Sequence, residues 1–166
     1  MHELKRITAA GVAAALQKAE RYRLLNEPSA AESICLDVLA AEPDNQQALI
    51  QLALARTDQF AGELSGAVER AREPLARVKD EYRRAYYLGI VCERRGMAQL
   101  RSHPLGGREI AYDWLRRAME LYEQAERMRP AGNDEALLRW NTCARIIDRH
   151  ELVAPPSEPL EPAIGE

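Results

Sequence analysis

Apolar residues recur every three or four positions along most of this chain, which is the spacing of one face of a helix. Leu4, Ile7, Gly11, Ala14 or Ala15, Lys18 and Tyr22 predict a first helix over 3–25. Asn26-Glu27-Pro28 reads as a turn. Ser29, with Glu32 three residues on, reads as a capping box opening a second helix near Ala30. That helix buries Ala31, Ile34, Cys35, Val38 and Leu39 and ends at Pro43. Asp44 caps a third helix over 45–58, with Leu49, Leu52, Ala53 and Arg56 on one face. A fourth helix is predicted from about 62 to 79. Pro74 lies inside it, and an interior proline costs roughly 3 kcal/mol, so a kink or break is expected there. Asp80 caps a fifth helix from 81 to about 100. A sixth spans 109–128 and ends before Pro130. Asn133 caps a seventh over 134–150, with Leu137, Leu138, Trp140, Ala144 and Ile147 facing inward.

The small residues that let helices approach closely recur at a near-constant period. In the first helix of each pair they are Ala19, Ala53 and Gly89, separated by 34 and 36 residues. In the second they are Ala31, Ala67 and Ala118, separated by 36 and 51. Pro43 follows Ala31 by 12 residues and Pro130 follows Ala118 by 12, whereas the middle unit has Lys79 there. A helix-and-stop unit written repeatedly predicts a stack of helical hairpins, each too small to bury its own apolar face.

This pattern resembles the tetratricopeptide repeat family. The resemblance rests on Ala31, Val38 and Pro43, on Leu88-Gly89 with Gly96, and on Ala118, Tyr122, Ala125 and Pro130. It covers about 8–150. It departs from the family pattern in three ways. The bulky aromatic early in the first helix is missing from two units, Pro74 interrupts the second, and residues 97–108 lengthen the third. The resemblance implies an all-α fold, a right-handed superhelical stack of antiparallel helix pairs with about seven helices, the last closing the array. Residues 1–150 form this domain, and 151–166 read as a disordered, acidic, proline-rich tail.

In that family the first helix of each pair lines a concave groove that takes an extended peptide or a helix. The matching positions here are Leu16, Glu20 and Arg23, then Gln47, Ile50, Leu54 and Thr57, then Arg83, Tyr86, Ile90 and Arg94, and finally Leu138, Asn141, Thr142 and Arg145. The residues expected to touch a partner are Arg23, Gln47, Ile50, Arg83, Tyr86, Arg94, Asn141 and Arg145. Such a surface suits a protein or peptide, acidic in part and with apolar anchors, because Arg offers a planar fork to a carboxylate. Chaperone-binding members hold a terminal carboxylate with paired Lys and Asn residues. Asn141 matches one such Asn, but Leu16, Glu20 and Ile50 stand at the other positions here, so that activity is not implied.

Charge changes the picture little. Net charge is −3, which gives no case for nucleic acid or an anionic membrane. Residues 61–117 hold twelve basic and eight acidic side chains, leaving an Arg-mediated nucleic-acid contact as an alternative. The longest apolar run, 9–16, is too short to span a bilayer. The chain's start, MHELKR, has no signal-peptide core behind it. Cys35, Cys92 and Cys143 are widely spaced with no CxxC, which argues against a disulfide framework or zinc site and for a reducing cytosol.

Candidate chemistry is sparse, and a non-catalytic module without metal or cofactor is expected. Cys143 with His150 is the one nucleophile-and-base pairing on offer, as the alternative of a small enzyme or ligand-binding protein. Seven residues of helix separate the two by about 10 Å, too far for a hydrogen bond. His103 with Glu109 and Asp113 is a weak metal set. Leu105-Gly106-Gly107-Arg108 precedes a helix but lacks any phosphate-loop signature. Trp114 and Tyr122 lie on an apolar stripe and read as core.

Overall fold

The computed structural model describes residues 2–62, 66–102 and 107–155. Among them are seven α-helices and no strand: α1 (Val12–Leu24), α2 (Pro28–Ala41), α3 (Gln46–Thr57), α4 (Ala67–Arg72), α5 (Glu81–Ser102), α6 (Arg108–Arg127) and α7 (Glu135–Arg149). No helix there is long and apolar enough to cross a membrane.

Helix starts follow local capping chemistry more closely than the apolar pattern. The first helix begins well after residue 3. The Thr8 hydroxyl accepts from the Gly11 amide at 3.2 Å, and residues Ala9–Gly11 form a 3-10 turn before α1. Lys5 and Arg6 would sit unfavourably at the positive end of a longer helix. The expected Ser29–Glu32 capping box is not made. Pro28, whose ring presets a helical φ and which has no N–H to leave unpaired, takes the first position of α2 instead. Ser29 then donates to Gln59 at 3.3 Å. Asn45, rather than Asp44, caps α3 by accepting from the Ala48 amide at 2.9 Å. Asp80 does cap α5, accepting from the Arg83 amide at 2.8 Å. Asn133 accepts from the first amide of α7 at 3.0 Å.

The expected break falls at Pro74. α4 lasts six residues, and Glu73–Arg77 continues as a 3-10 turn whose tighter winding accommodates the missing N–H. Pro74 and Leu75 are buried there. At the other end, the Leu152 amide donates to the Ile147 carbonyl at 3.0 Å, the outer bond of a Schellman stop. Leu152 is buried against the core. The ordered body therefore runs past the boundary expected at 150. The segment expected to be a disordered tail lies, from 156 onward, outside the described residues.

α2 packs between α1 and α3, and α6 between α5 and α7. α1 also lies against α3, and α3 against α5. The seams are built from small residues at the expected positions. Ala19, Ala31 and Cys35 are fully buried together, and Ala53 is buried in the next cluster. Gly89 faces the Tyr122 ring so closely that an added Cβ would stand 2.5 Å from it. Tyr122 belongs to the core as expected, with no exposure, whereas Trp114 is half-buried and packs against it.

Candidate functional site

One stripe of α5 lines two of the recesses that open among the described residues. Tyr86, Ile90, Arg94, Met97 and Arg101 succeed one another at intervals of four, four, three and four residues, so they share a face. From Tyr86 to Arg101 that face extends about 22 Å.

The first recess lies where α1 and α3 end and the last turns of α5 run past them. It is a cleft of about 350 Å³. Asp58, the residue after α3, is its pivot. The Arg23 Nε donates to one Asp58 carboxylate oxygen at 2.7 Å, and the Arg94 guanidinium donates to the other at 2.6 Å. The same Arg94 nitrogen donates to the Thr57 hydroxyl at 2.6 Å. Thr57 is itself buried, with its hydroxyl donating to the Leu54 carbonyl at 2.7 Å. Burial pulls the Arg94 guanidinium below its ordinary range. The Asp58 charge pulls it back up, while Arg23 and Arg139 add to the fall. Phe60 and Met97 supply an apolar wall. Arg101 is exposed at the rim and has no ion-pair partner among the described residues.

The second recess, about 210 Å³, lies between α5 and α7. Tyr86, Leu138, Arg139 and Thr142 line it. Leu138, expected to face inward, is 61% exposed, an apolar side chain facing water at the recess edge. Tyr86 stacks on Tyr82 with ring centroids 6.0 Å apart and meets Tyr87 edge-on at 5.1 Å. Burial raises the Tyr86 hydroxyl above its ordinary value, against a lowering hydrogen bond to Arg139. Behind this wall is a buried acid. Glu93, 6% exposed, accepts from the Tyr122 hydroxyl at 2.5 Å and from Arg139 at 3.0 Å. Burial and the Glu93 charge push the Tyr122 hydroxyl upward. The arrangement locks Arg139 beneath Tyr86, so the recess has a fixed floor.

Of the residues expected to touch a partner, Arg23 and Arg94 meet at Asp58, and Tyr86 lines the second recess. Ile50 is a correction. It is 4% exposed in the cluster with Leu49 and Ala53, where it fills the space beneath the face and offers no surface. Ile90 and Leu16 are likewise buried. Gln47, Arg83 and Arg145 are exposed and Asn141 is half-buried, but none of them lines either recess.

Asp58, Arg101, Glu93 and Arg139 are not among the expected residues. Arg101 has a readable signal, because it lies seven residues beyond Arg94 on the same stripe. Glu93 has one too, four residues after Gly89 and so on the face that packs on α6. Asp58 and Arg139 depend on which helices become neighbours, which the spacing does not state.

The candidate nucleophile has no support in its surroundings. Cys143 is fully buried. Burial, then the Glu93 charge, push its thiol up to about 12, so it remains protonated at neutral pH. His150 is exposed just beyond the end of α7, where its carbonyl accepts from Arg108. His103, Leu105 and Gly106 lie outside the described residues, and no group of three metal-ligating side chains occurs among those described. Comparison with protein-family models, with curated proteins and with solved structures gave no significant match.

Proposed function

We propose that the chain is a non-catalytic protein-interaction module that holds a peptide or helix along the face formed by α1, α3, α5 and α7. The observation that carries this reading is the α5 stripe running from the tyrosine recess to the arginine cleft. Both ends present polar groups that are already held in place, beside exposed Leu138 at one end and half-buried Met97 at the other. An extended segment of about seven residues covers the roughly 22 Å between them. Preorganised side chains lose little entropy on binding, which favours recognition over mere solvation.

On this reading the helices form a superhelical stack of pairs resembling tetratricopeptide repeats, with α2, α4 and α6 on the supporting side. The packing of α1 on α3 and of α3 on α5 supports that arrangement. Three free, buried cysteines suit a reducing compartment such as the cytoplasm.

The test is affinity capture from cell extract with four full-length proteins: wild type, Leu138→Glu, Arg101→Glu and, on the opposite side, Leu36→Glu. Leu36 is 47% exposed on α2. Partners retained by Leu36→Glu and lost with both other variants support the groove. Partners indifferent to Leu138→Glu and Arg101→Glu would sink it.

A further inference from the structure

We propose that the cleft around Asp58 is a carboxylate-binding site, selecting an acidic peptide segment that carries two acidic side chains on one side of an extended backbone. The inference rests on the groove reading and names the chemistry of its partner.

The charges in the cleft do not cancel. Among the described residues that line it, Arg23, Arg94 and Arg101 bring three positive charges and Asp58 brings one negative, so two positive charges remain (3 − 1 = 2). They remain in a chain whose net charge is −3, so the excess is local and not a bulk property. The hydrogen-bonding capacity is also unspent. Arg23 engages Asp58 through Nε, which leaves both terminal nitrogens of its fork. Arg94 engages through one terminal nitrogen. Arg101 carries all five of its N–H donors unpaired among the described residues.

Asp58 holds Arg23 and Arg94 in fixed orientation without neutralising the group, and the buried Thr57 hydroxyl fixes Arg94 a second time. The low dielectric around Arg94 strengthens its attraction for an incoming anion. Arg94 and Arg101 stand seven residues apart on one helix face, about 10 Å. Two acidic side chains at alternate positions of an extended chain lie on one side about 7 Å apart, and the long Arg101 side chain, unpaired among the described residues, takes up the difference from the fixed Arg94. Phe60 and Met97 form the apolar wall for the residue beside them.

The probe is a fluorescein-labelled peptide, acetyl-Leu-Glu-Gly-Glu-Leu-amide, with its double Gln counterpart as control, titrated by anisotropy against the full chain. The Glu peptide is expected to bind about tenfold or more tightly than the Gln peptide. Its affinity should fall steadily as salt rises. Arg101→Gln should weaken the Glu peptide about five- to tenfold and leave the Gln peptide unchanged. Arg101 is exposed and unpaired among the described residues, so the thermal unfolding of this variant should match wild type. Arg101→Lys, which keeps the charge and loses the fork, should fall between.

Equal binding of the two peptides, an unchanged Kd in Arg101→Gln, or no binding of either at about 1 mM overturns the proposal. If Leu138→Glu weakens both peptides equally while Arg101→Gln does nothing, the groove stands and the carboxylate site fails. If partner capture ignores both variants while the Glu peptide still depends on Arg101, the carboxylate site stands and the groove fails.

Discussion

The two ends of the molecule solve the same packing problem with different chemistry. Around α1, α2 and α3 the contact residues are Ala19, Ala31, Cys35, Leu52 and Ala55, and the polar ties are half-buried at the edge of that cluster. Glu32 is the hub, accepting from Arg56 at 2.9 Å and from Gln59 at 2.8 Å. Arg56 reaches on to Glu73 at 3.0 Å. Around α5, α6 and α7 the seam is wider. Gly89 makes room for a complete tyrosine ring, and the polar tie is drawn inside as Tyr122–Glu93–Arg139. Small residues allow close approach there, and the ion pair that ties them, Glu32 with Arg56, is half-buried, with Glu73 at its exposed end. A glycine opposite an aromatic ring allows a buried acid, which must then be fully partnered. The second arrangement buries its acid more deeply than the first, and so tolerates less change there.

The sharpest way to break this comparison is Tyr122→Ala. The side chain is fully buried, and its loss leaves both a cavity and a Glu93 oxygen without its donor. We expect a loss of about 3–5 kcal/mol in urea unfolding. A loss below about 1 kcal/mol would mean that the interior of this end is no more demanding than the other.

Gly89→Ala comes next. Alanine favours a helix by about 1 kcal/mol, but its Cβ would stand 2.5 Å from a buried ring. Overpacking wins, with a net loss of about 1–3 kcal/mol and a shifted Tyr122 signal in near-ultraviolet circular dichroism. A stabilised variant would show that the ring moves freely.

Acid separates the ends without mutation. Burial would raise the Glu32 carboxyl, but the Gln59 amide and the Arg56 guanidinium overcome it and hold the group below its ordinary 4.5. A carboxyl with a depressed folded pKa contributes stability that is complete above the unfolded value and lost as pH falls through the folded one. The α1–α3 end should therefore weaken below about pH 4.5, and Glu32→Gln should flatten that part of the stability profile. The same flattening in a variant that keeps Glu32 would assign the effect elsewhere.

The smallest effect is expected at Leu36→Glu, which should change stability by less than about 0.5 kcal/mol and mark the supporting side as inert.

Much of this is legible in the chain. Helix number, the stop at Pro74 and the close-approach residues Ala19, Ala31, Ala53 and Gly89 all come from periodicity and from what proline and glycine permit. Helix starts are less legible. Ser29 and Asp44 satisfy the capping pattern, yet Pro28 and Asn45 prevail through one residue's difference in backbone geometry. The site is half legible. Arg23, Tyr86 and Arg94 lie on readable stripes, whereas Ile50 shares such a stripe and is buried by the neighbouring helix. Exposure depends on which helix comes alongside, and so do the partnerships of Asp58 and Arg139, which the spacing does not state.

The order of packing has a kinetic consequence. Each helix finds most of its neighbours one or two elements away in the chain. Little loop-closure entropy opposes such contacts, so folding should be fast for the chain's length. Among the helices, α1 packs on α2 and α3, and it can detach while α5 and α6 remain paired. Amide exchange should therefore open the molecule from its first helix, with the protons around Gly89 and Tyr122 the last to leave.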